Sequence, residues 1–210
     1  METKELILNK SLKLFSDRGY EGVTMRDIAA EVGIKAASIY NHFKGKEDIF
    51  CCLLEEMARR YEQMRERMKI PNGDVNSVAK SYEGISETDL LMIARSLFLY
   101  FINDEFAAPF RRMVTTEQYR HSVAGEAFQK MFIRDVLEYE TSIFTYLVDQ
   151  KKFVDCDPQV AALQFYSPIY LLLSRYDLNN DGLEEALQLL DAHVKQFSSL
   201  YTNKRIVKNK

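Results

Sequence analysis

Between Thr24 and Lys46 the sequence gathers side chains suited to contact with a duplex. Lys35, Ala37, Ser38, Asn41 and His42 are short or hydrogen-bonding, and no carboxylate occurs between Glu31 and Glu47, while Lys35, Lys44 and Lys46 add positive charge. In a major groove, asparagine matches the edge of adenine and lysine the acceptor edge of guanine. Thr24, Tyr40 and Lys46 flank this set, where phosphate contacts fix position without reading sequence. With Arg26 and Ala36 they complete the candidate DNA-contacting residues. The competing reading of the same residues is the solvated polar face of a helical hairpin.

Two short amphipathic helices are needed to position such a face. Thr24 is a good N-cap, and Asp27 can return its hydrogen bond as a capping box. Met25, Ile28, Ala29 and Val32 then follow the spacing of one helix face. Gly33 stands where a helix end favours a left-handed residue. The spacing restarts at Ala36, Ile39, Tyr40 and Phe43. One-sided helices this short cannot stand alone, so they must pack on each other and on a third element, the plan of a helix-turn-helix.

Residues from about Lys4 to Phe50 resemble the DNA-binding domain of the TetR family of transcriptional regulators. The resemblance rests on Ile7-Leu8, Leu14-Phe15, Gly19-Tyr20, Thr24, Asp27-Ile28-Ala29 and Val32-Gly33-Ile34, then Ile39-Tyr40, His42-Phe43, Lys46-Glu47 and Ile49. Lys35 and Ala37 depart from the small hydroxyl residue and the glycine usual at those positions. The resemblance implies an all-α protein: an N-terminal three-helix helix-turn-helix domain at 1–48, then a helical-bundle ligand-binding and dimerisation domain at 49–210. It further implies a homodimer, usually a repressor, that binds a palindromic operator and is released by a small-molecule effector. An all-helical small-molecule sensor without DNA binding is the alternative.

Composition agrees with a helical chain long enough to bury a core, for only 8 Gly and 4 Pro occur in 210 residues. The net charge of -3 is unevenly spread. Residues 1–50 hold 8 basic and 8 acidic side chains, 51–194 hold 15 and 23, and 195–210 hold 5 and none. A local basic face at Lys35–Lys46 therefore survives an acidic middle. A cytoplasmic chain is expected, because no signal-like segment opens the sequence and the longest charge-free run, Pro158 to Ser174, is too short and polar to span a bilayer.

In chain order, a first helix is expected at about Glu5–Arg18 and a fourth at about Lys46–Met68, ended by Pro71-Asn72-Gly73-Asp74. The stretch to Gly84 reads as a linker or short helix. Ser86 with Asp89 is a second capping-box pattern, and the nearly all-apolar run Leu90–Ile102 predicts a helix central to a bundle. Further helices are expected at about Phe106–Arg120, Gly125–Lys151, Asp157–Arg175 and Leu183–Tyr201. Asp157-Pro158 is a cap with proline at the first helical position, and Pro168 lies inside its helix.

The last two helices offer a self-association surface, through Val160, Leu163, Ser167, Tyr170, Leu171 and Ser174 and through Leu183, Leu187, Leu190, Val194, Phe197 and Tyr201. In the family resembled, the two C-terminal helices form a four-helix dimer interface, and a two-fold dimer sets its reading helices about one duplex turn apart.

The aromatic-rich middle could line a cavity for an apolar or aromatic effector, or it could be plain core. The candidate lining residues are Tyr61, Arg95, Phe98, Phe101, Tyr119, Phe128, Phe132, Phe165 and Tyr166. Arg95, a cation in an apolar run, needs a partner: an acidic ligand or a carboxylate such as Glu138 or Glu140.

Asp177–Gly182 copies the first half of an EF-hand loop, but position 12 is Gln188 and not the glutamate that calcium requires. The three His and three Cys lack metal-ligand spacing, and adjacent Cys51 and Cys52 do not form a C-x-x-C motif. With neither a phosphate loop nor a nucleophile elbow, no catalytic residues, no metal and no cofactor are expected.

Overall fold

The computed structural model describes residues 2–71, 74–82, 86–177 and 182–203. The helices are α1 (Thr3–Arg18), α2 (Met25–Val32), α3 (Ala36–Ile39), α4 (Lys46–Arg67), α5 (Val75–Tyr82), α6 (Glu87–Asn103), α7 (Ala107–Glu117), α8 (Ser122–Gln129), α9 (Asp135–Asp149), α10 (Pro158–Arg175) and α11 (Leu183–Tyr201). A π turn at Lys130–Arg134 joins α8 to α9. Among the described residues the only strand-like feature is an isolated bridge between Phe153 and Thr202. No helix among them is long and apolar enough to cross a membrane. The all-helical expectation holds.

The chain forms two compact units, one of residues 1–64 with 103–130 and the other of 65–102 with 131–210. In the first, α1 buries Ile7, Leu12, Leu14 and Phe15, and both α2 and α7 pack on it. Phe15, Tyr20 and Phe50 form a ring cluster with centroids 5.3 Å (Phe15–Tyr20), 5.3 Å (Tyr20–Phe50) and 6.5 Å (Phe15–Phe50) apart. Burying each such ring contributes about 2–3 kcal/mol. The division differs from the expected boundary at 48, because the first half of α4 and all of α7 and α8 join the helix-turn-helix unit.

One joint explains that grouping. Gly19 adopts φ +75°, and a Cβ there would lie 2.9 Å from Glu117 Oε1. This conformation turns the Tyr20 amide onto that same oxygen, to which it donates at 2.9 Å. Only glycine takes up such a φ without strain. A carboxylate near the end of α7 thus secures the loop that enters the helix-turn-helix.

The second unit has two apolar clusters. One joins Phe144, Ile143 and Leu147 of α9 to α5, α10 and Phe197 of α11. The other joins Phe98 and Ile102 of α6 to Leu172, Leu190 and Val194 of α10 and α11. The helix expected at the centre of a bundle, α6, buries only Phe98 and Ile102, while Met92 is exposed. Most of its other apolar residues are half-buried.

Other differences are local. The helix expected over Gly125–Lys151 starts at Ser122 and is interrupted by the π turn. The segment before Gly84 contains the short helix α5. Ser86 and Asp89 cap α6 as expected, with the Asp89 amide donating to Ser86 Oγ at 3.1 Å. Helices α10 and α11 match their expected spans, α10 capped by Asp157 and running on through Pro168. The Asn72-Gly73 turn and most of the EF-hand-like segment, 178–181, lie outside the described residues.

Candidate nucleic-acid interface

The reading head begins at a complete capping box. The Asp27 amide donates to Thr24 Oγ1 at 3.2 Å and the Thr24 amide to Asp27 Oδ2 at 2.8 Å. The Thr24 hydroxyl also donates to Asp27, and these bonds hold the Asp27 carboxyl below its usual range. At the far end Gly33 adopts φ 79°, ψ 28°. The amides of Gly33 and Ile34 close on the Ala29 carbonyl at 2.9 and 3.0 Å. Both ends of α2 are therefore satisfied by local sequence.

The second helix is shorter than the sequence spacing implies. Only Ala36–Ile39 is α-helical. The turn continues through bonds from Asn41 to Ser38 at 3.4 Å, from His42 to Ile39 at 2.9 Å and from Phe43 to Ile39 at 3.0 Å. Ile39 and Phe43 are buried and fix the rod from its inner side. Lys35, Ala37, Tyr40, Asn41 and His42 are exposed, with Ala36 and Ser38 half-buried between them. Lys35 occupies the N-cap position and makes no side-chain cap bond, so the departure from a hydroxyl residue leaves α3 uncapped.

The flanking residues divide. Arg26 and Thr24 are exposed beside the head, and Tyr40 keeps 56% of its surface free. Lys46 is turned inward. Its ammonium donates to the Tyr20 carbonyl at 2.7 Å, lies 4.1 Å from the Tyr20 ring centroid and sits 3.7 Å from Glu21. Lys46 thus ties the start of α4 to the loop before α2, and the phosphate contact expected of it lies outside the exposed face.

What supports this head comes from residues distant along the chain. Tyr20 Oη donates to Glu47 Oε2 at 2.9 Å, and His121 Nε2 lies 3.2 Å from the same oxygen. The His121 ring sits 4.7 Å from Tyr20 and 4.8 Å from Phe50, and its Nδ1 accepts from the Ala124 amide at 3.3 Å as the cap of α8. That acceptor role assigns the proton to Nε2, facing Glu47. Burial and the Glu47 bond raise the Tyr20 phenol, while the Tyr20 and His121 bonds lower Glu47 against the desolvation that opposes them. Glu117 and His121 are far from Tyr20 in sequence and carry no local signal.

The candidate effector residues fall in different places. Tyr61, Tyr119 and Phe128 belong to the first unit, and the other six to the second. Tyr119 is 90% exposed and so lines no enclosed cavity; it follows the end of α7, beyond that helix's buried face. Phe98, Phe128 and Phe132 are buried, and Tyr166 donates to the Phe132 carbonyl at 2.6 Å. Arg95 is 43% exposed and pairs with neither Glu138 nor Glu140. Its Nε and Nη2 meet Asp191 Oδ1 and Oδ2 at 2.6 and 2.7 Å, a two-point pair linking α6 to α11.

On α10, Val160, Leu163, Ser167, Leu171 and Ser174 face outward as expected. On α11 the expected set points the other way. Leu190, Val194 and Phe197 are buried inside the protomer, and the exposed apolar stripe carries Leu189 and Leu200 instead. No group of three or more His, Cys, Asp or Glu among the described residues could hold a metal ion.

Residues 7–51 match the family model described as bacterial regulatory proteins, tetR family. A 54-residue stretch is 44% identical to the biofilm operon icaADBC HTH-type negative transcriptional regulator IcaR of Staphylococcus aureus (strain Newman), spanning 23% of this chain and 29% of that protein. Among solved structures, the SmeT–triclosan complex superposes with a TM-score of 0.67 at 20% identity, covering 97% of this chain and 93% of that one. A transcriptional regulator from Saccharomonospora viridis in complex with choline gives 0.65 at 21% identity, covering 96% and 98%. These two share the fold along nearly the whole chain, whereas the sequence likeness is confined to the helix-turn-helix. The N-terminal residues 7–51 are thus similar to the helix-turn-helix of the tetR family of bacterial regulatory proteins.

Proposed function

We propose that this chain is a cytoplasmic DNA-binding transcriptional regulator, a repressor that holds a palindromic operator as a homodimer and leaves it when a small-molecule effector binds. The observation that carries this reading is the exposed, acid-free face from Lys35 to His42, held outward by the buried Ile39 and Phe43. Asn41, Lys35, Ser38 and His42 would meet base edges; Tyr40, Thr24 and Arg26 would meet phosphates. IcaR, by its name a negative regulator, supports repression as the sense of control.

Residues 1–48 supply the reading head in this scheme, and residues 49–210 supply effector binding and dimerisation. The dimer would form through α10 and α11 by the outward residues Val160, Leu163, Leu171, Leu189 and Leu200. An apolar surface of this kind, Leu171 being 64% exposed, is what a second copy would cover. The buried Phe98 and Phe132 and the half-buried Phe101, Phe165 and Tyr166 would border the effector. Triclosan and choline, bound by two proteins of this fold, differ in charge and polarity, so the ligand class must be sought in this chain's own residues. The effector need only bind better to an arrangement in which α4 carries the head away from the half-site spacing.

A gel shift with DNA from upstream of the chain's own coding sequence tests the reading. Wild type should bind as a dimer. Tyr40→Ala should weaken binding on all sequences, and Asn41→Ala should relax preference at one base pair, a cost of about 1–3 kcal/mol. Unchanged affinity in both variants would overturn the assignment of α3 as the reading element.

A further inference from the structure

Two residues of the reading head depart from the pattern it otherwise follows, and both face outward. Ala37 stands where glycine is usual and Lys35 where a small hydroxyl residue is usual, and each is exposed. Ala37, Tyr40 and Asn41 lie at i, i+3 and i+4 and share one face of the rod. Ile39 and Phe43 are buried on its other side, and Ala36 and Ser38 flank Ala37 half-buried. The outward neighbours of Ala37 all carry hydrogen-bonding groups. A single methyl group therefore occupies the middle of an otherwise polar face.

The edges of base pairs present donors and acceptors to the major groove, and the apolar group among them is the C5 methyl of thymine. The Ala37 side chain can neither donate nor accept. Set against a polar edge, it would displace water and return no hydrogen bond. Set against the thymine methyl, both groups leave water together. With no atom beyond Cβ, Ala37 also lets the rod come close to the groove floor. Lys35 differs from the other two cations of the stretch. Lys46 is spent on the Tyr20 carbonyl, and Lys44 follows the rod, its amide donating to Asp48 at 2.8 Å. Lys35 stands at the start of the rod, exposed and making no cap bond. The O6 and N7 acceptors of guanine suit such an ammonium.

We propose that Ala37 determines specificity by selecting a thymine through its C5 methyl, with Lys35 holding a guanine beside it. This rests on α3 as the reading element proposed above and adds which bases the departing residues select. Four residues of helix rise about 6 Å, roughly two base-pair steps. The thymine therefore lies about two base pairs from the one that Asn41 reads, with the guanine on its far side.

The test selects bound duplexes from a randomised pool with the full chain, then remakes the enriched sequence with one altered base in one half-site for gel shifts. Deoxyuridine lacks only the C5 methyl. Placed at the thymine about two base pairs from the position that Asn41→Ala relaxes, it should weaken wild type about fourfold, the effect of burying one such group. Ala37→Gly should bind the thymine and deoxyuridine duplexes equally. Lys35→Ser, which gains a cap for α3, and 7-deazaguanine at the neighbouring guanine should each cost about tenfold, and together no more than either alone. No thymine at that position, no effect of deoxyuridine on wild type, or a methyl effect that persists in Ala37→Gly overturns the Ala37 assignment. If Ala37→Gly misfolds, the wild-type response to deoxyuridine decides. Lys35→Ser weakening every sequence alike makes Lys35 a phosphate contact and overturns the guanine assignment. In each of these cases Asn41→Ala still relaxes one base pair and α3 stands as the reading element. No enriched sequence, or Asn41→Ala and Tyr40→Ala both without effect, overturns that reading together with this proposal.

Discussion

The reading-head unit and the α9 unit each place a carboxylate on a helix, and they treat it in opposite ways. Glu47, in the first turn of α4, accepts from Tyr20 and meets His121, and its acid group is held low. A helix N-terminus adds to that preference for negative charge. Glu140, in mid-helix, has an oxygen with no partner and is pushed up to about 8. Their contributions to stability therefore run against each other with pH. That of Glu47 is present above its unfolded value and is lost as pH falls through its lowered one; it is small, since the side chain is 57% exposed. That of Glu140 is complete below its unfolded value of 4.5 and is lost as pH rises toward about 8. Around the Tyr20 platform the first unit pairs its carboxylates with donors, while in the second an oxygen of Glu140 has none.

The largest expected effect breaks this contrast at its second member. Glu140→Gln does not titrate, so it should match wild type near pH 5 and exceed it above pH 8, by up to about 5 kcal/mol on the scale of 1.36 kcal/mol per tenfold change. Urea unfolding at pH 5 and pH 9 measures this, and parallel midpoints for the two proteins at both pH values would contradict it. The next effect attacks the platform. Gly19→Ala forces a side chain into φ +75° and against Glu117, so the Tyr20 amide loses its acceptor. A loss of about 2–4 kcal/mol should follow, read by thermal unfolding. The smallest sharpens the contrast by completing the platform. Lys35→Ser supplies the missing cap of α3 and should gain about 0.5–1 kcal/mol by the same measurement.

How far each region could be read in advance follows from the range of its interactions. The Thr24–Asp27 box, the Gly33 cap and the spans of α10 and α11 rest on residues within a few positions of one another, and they appear as the sequence implies. Arg95 was recognisable as a cation needing a partner, but the partner is Asp191, 96 residues away. Lys46 was legible as basic, yet the Tyr20 carbonyl claims it. On α11 two apolar stripes compete, Leu190-Val194-Phe197 and Leu189-Leu200, and periodicity alone cannot choose which one faces the core.

By itself the sequence determined an all-helical chain, a capped pair of short helices and an acid-free polar face, because hydrogen bonds and turn conformations of a few residues enforce them. Tertiary structure decided which charges are spent inside, which apolar stripe is left exposed, and that an oxygen of Glu140 has no hydrogen-bond partner. Those outcomes depend on which helix faces meet across the fold, and dielectric and solvent access exist only once the chain has closed around them.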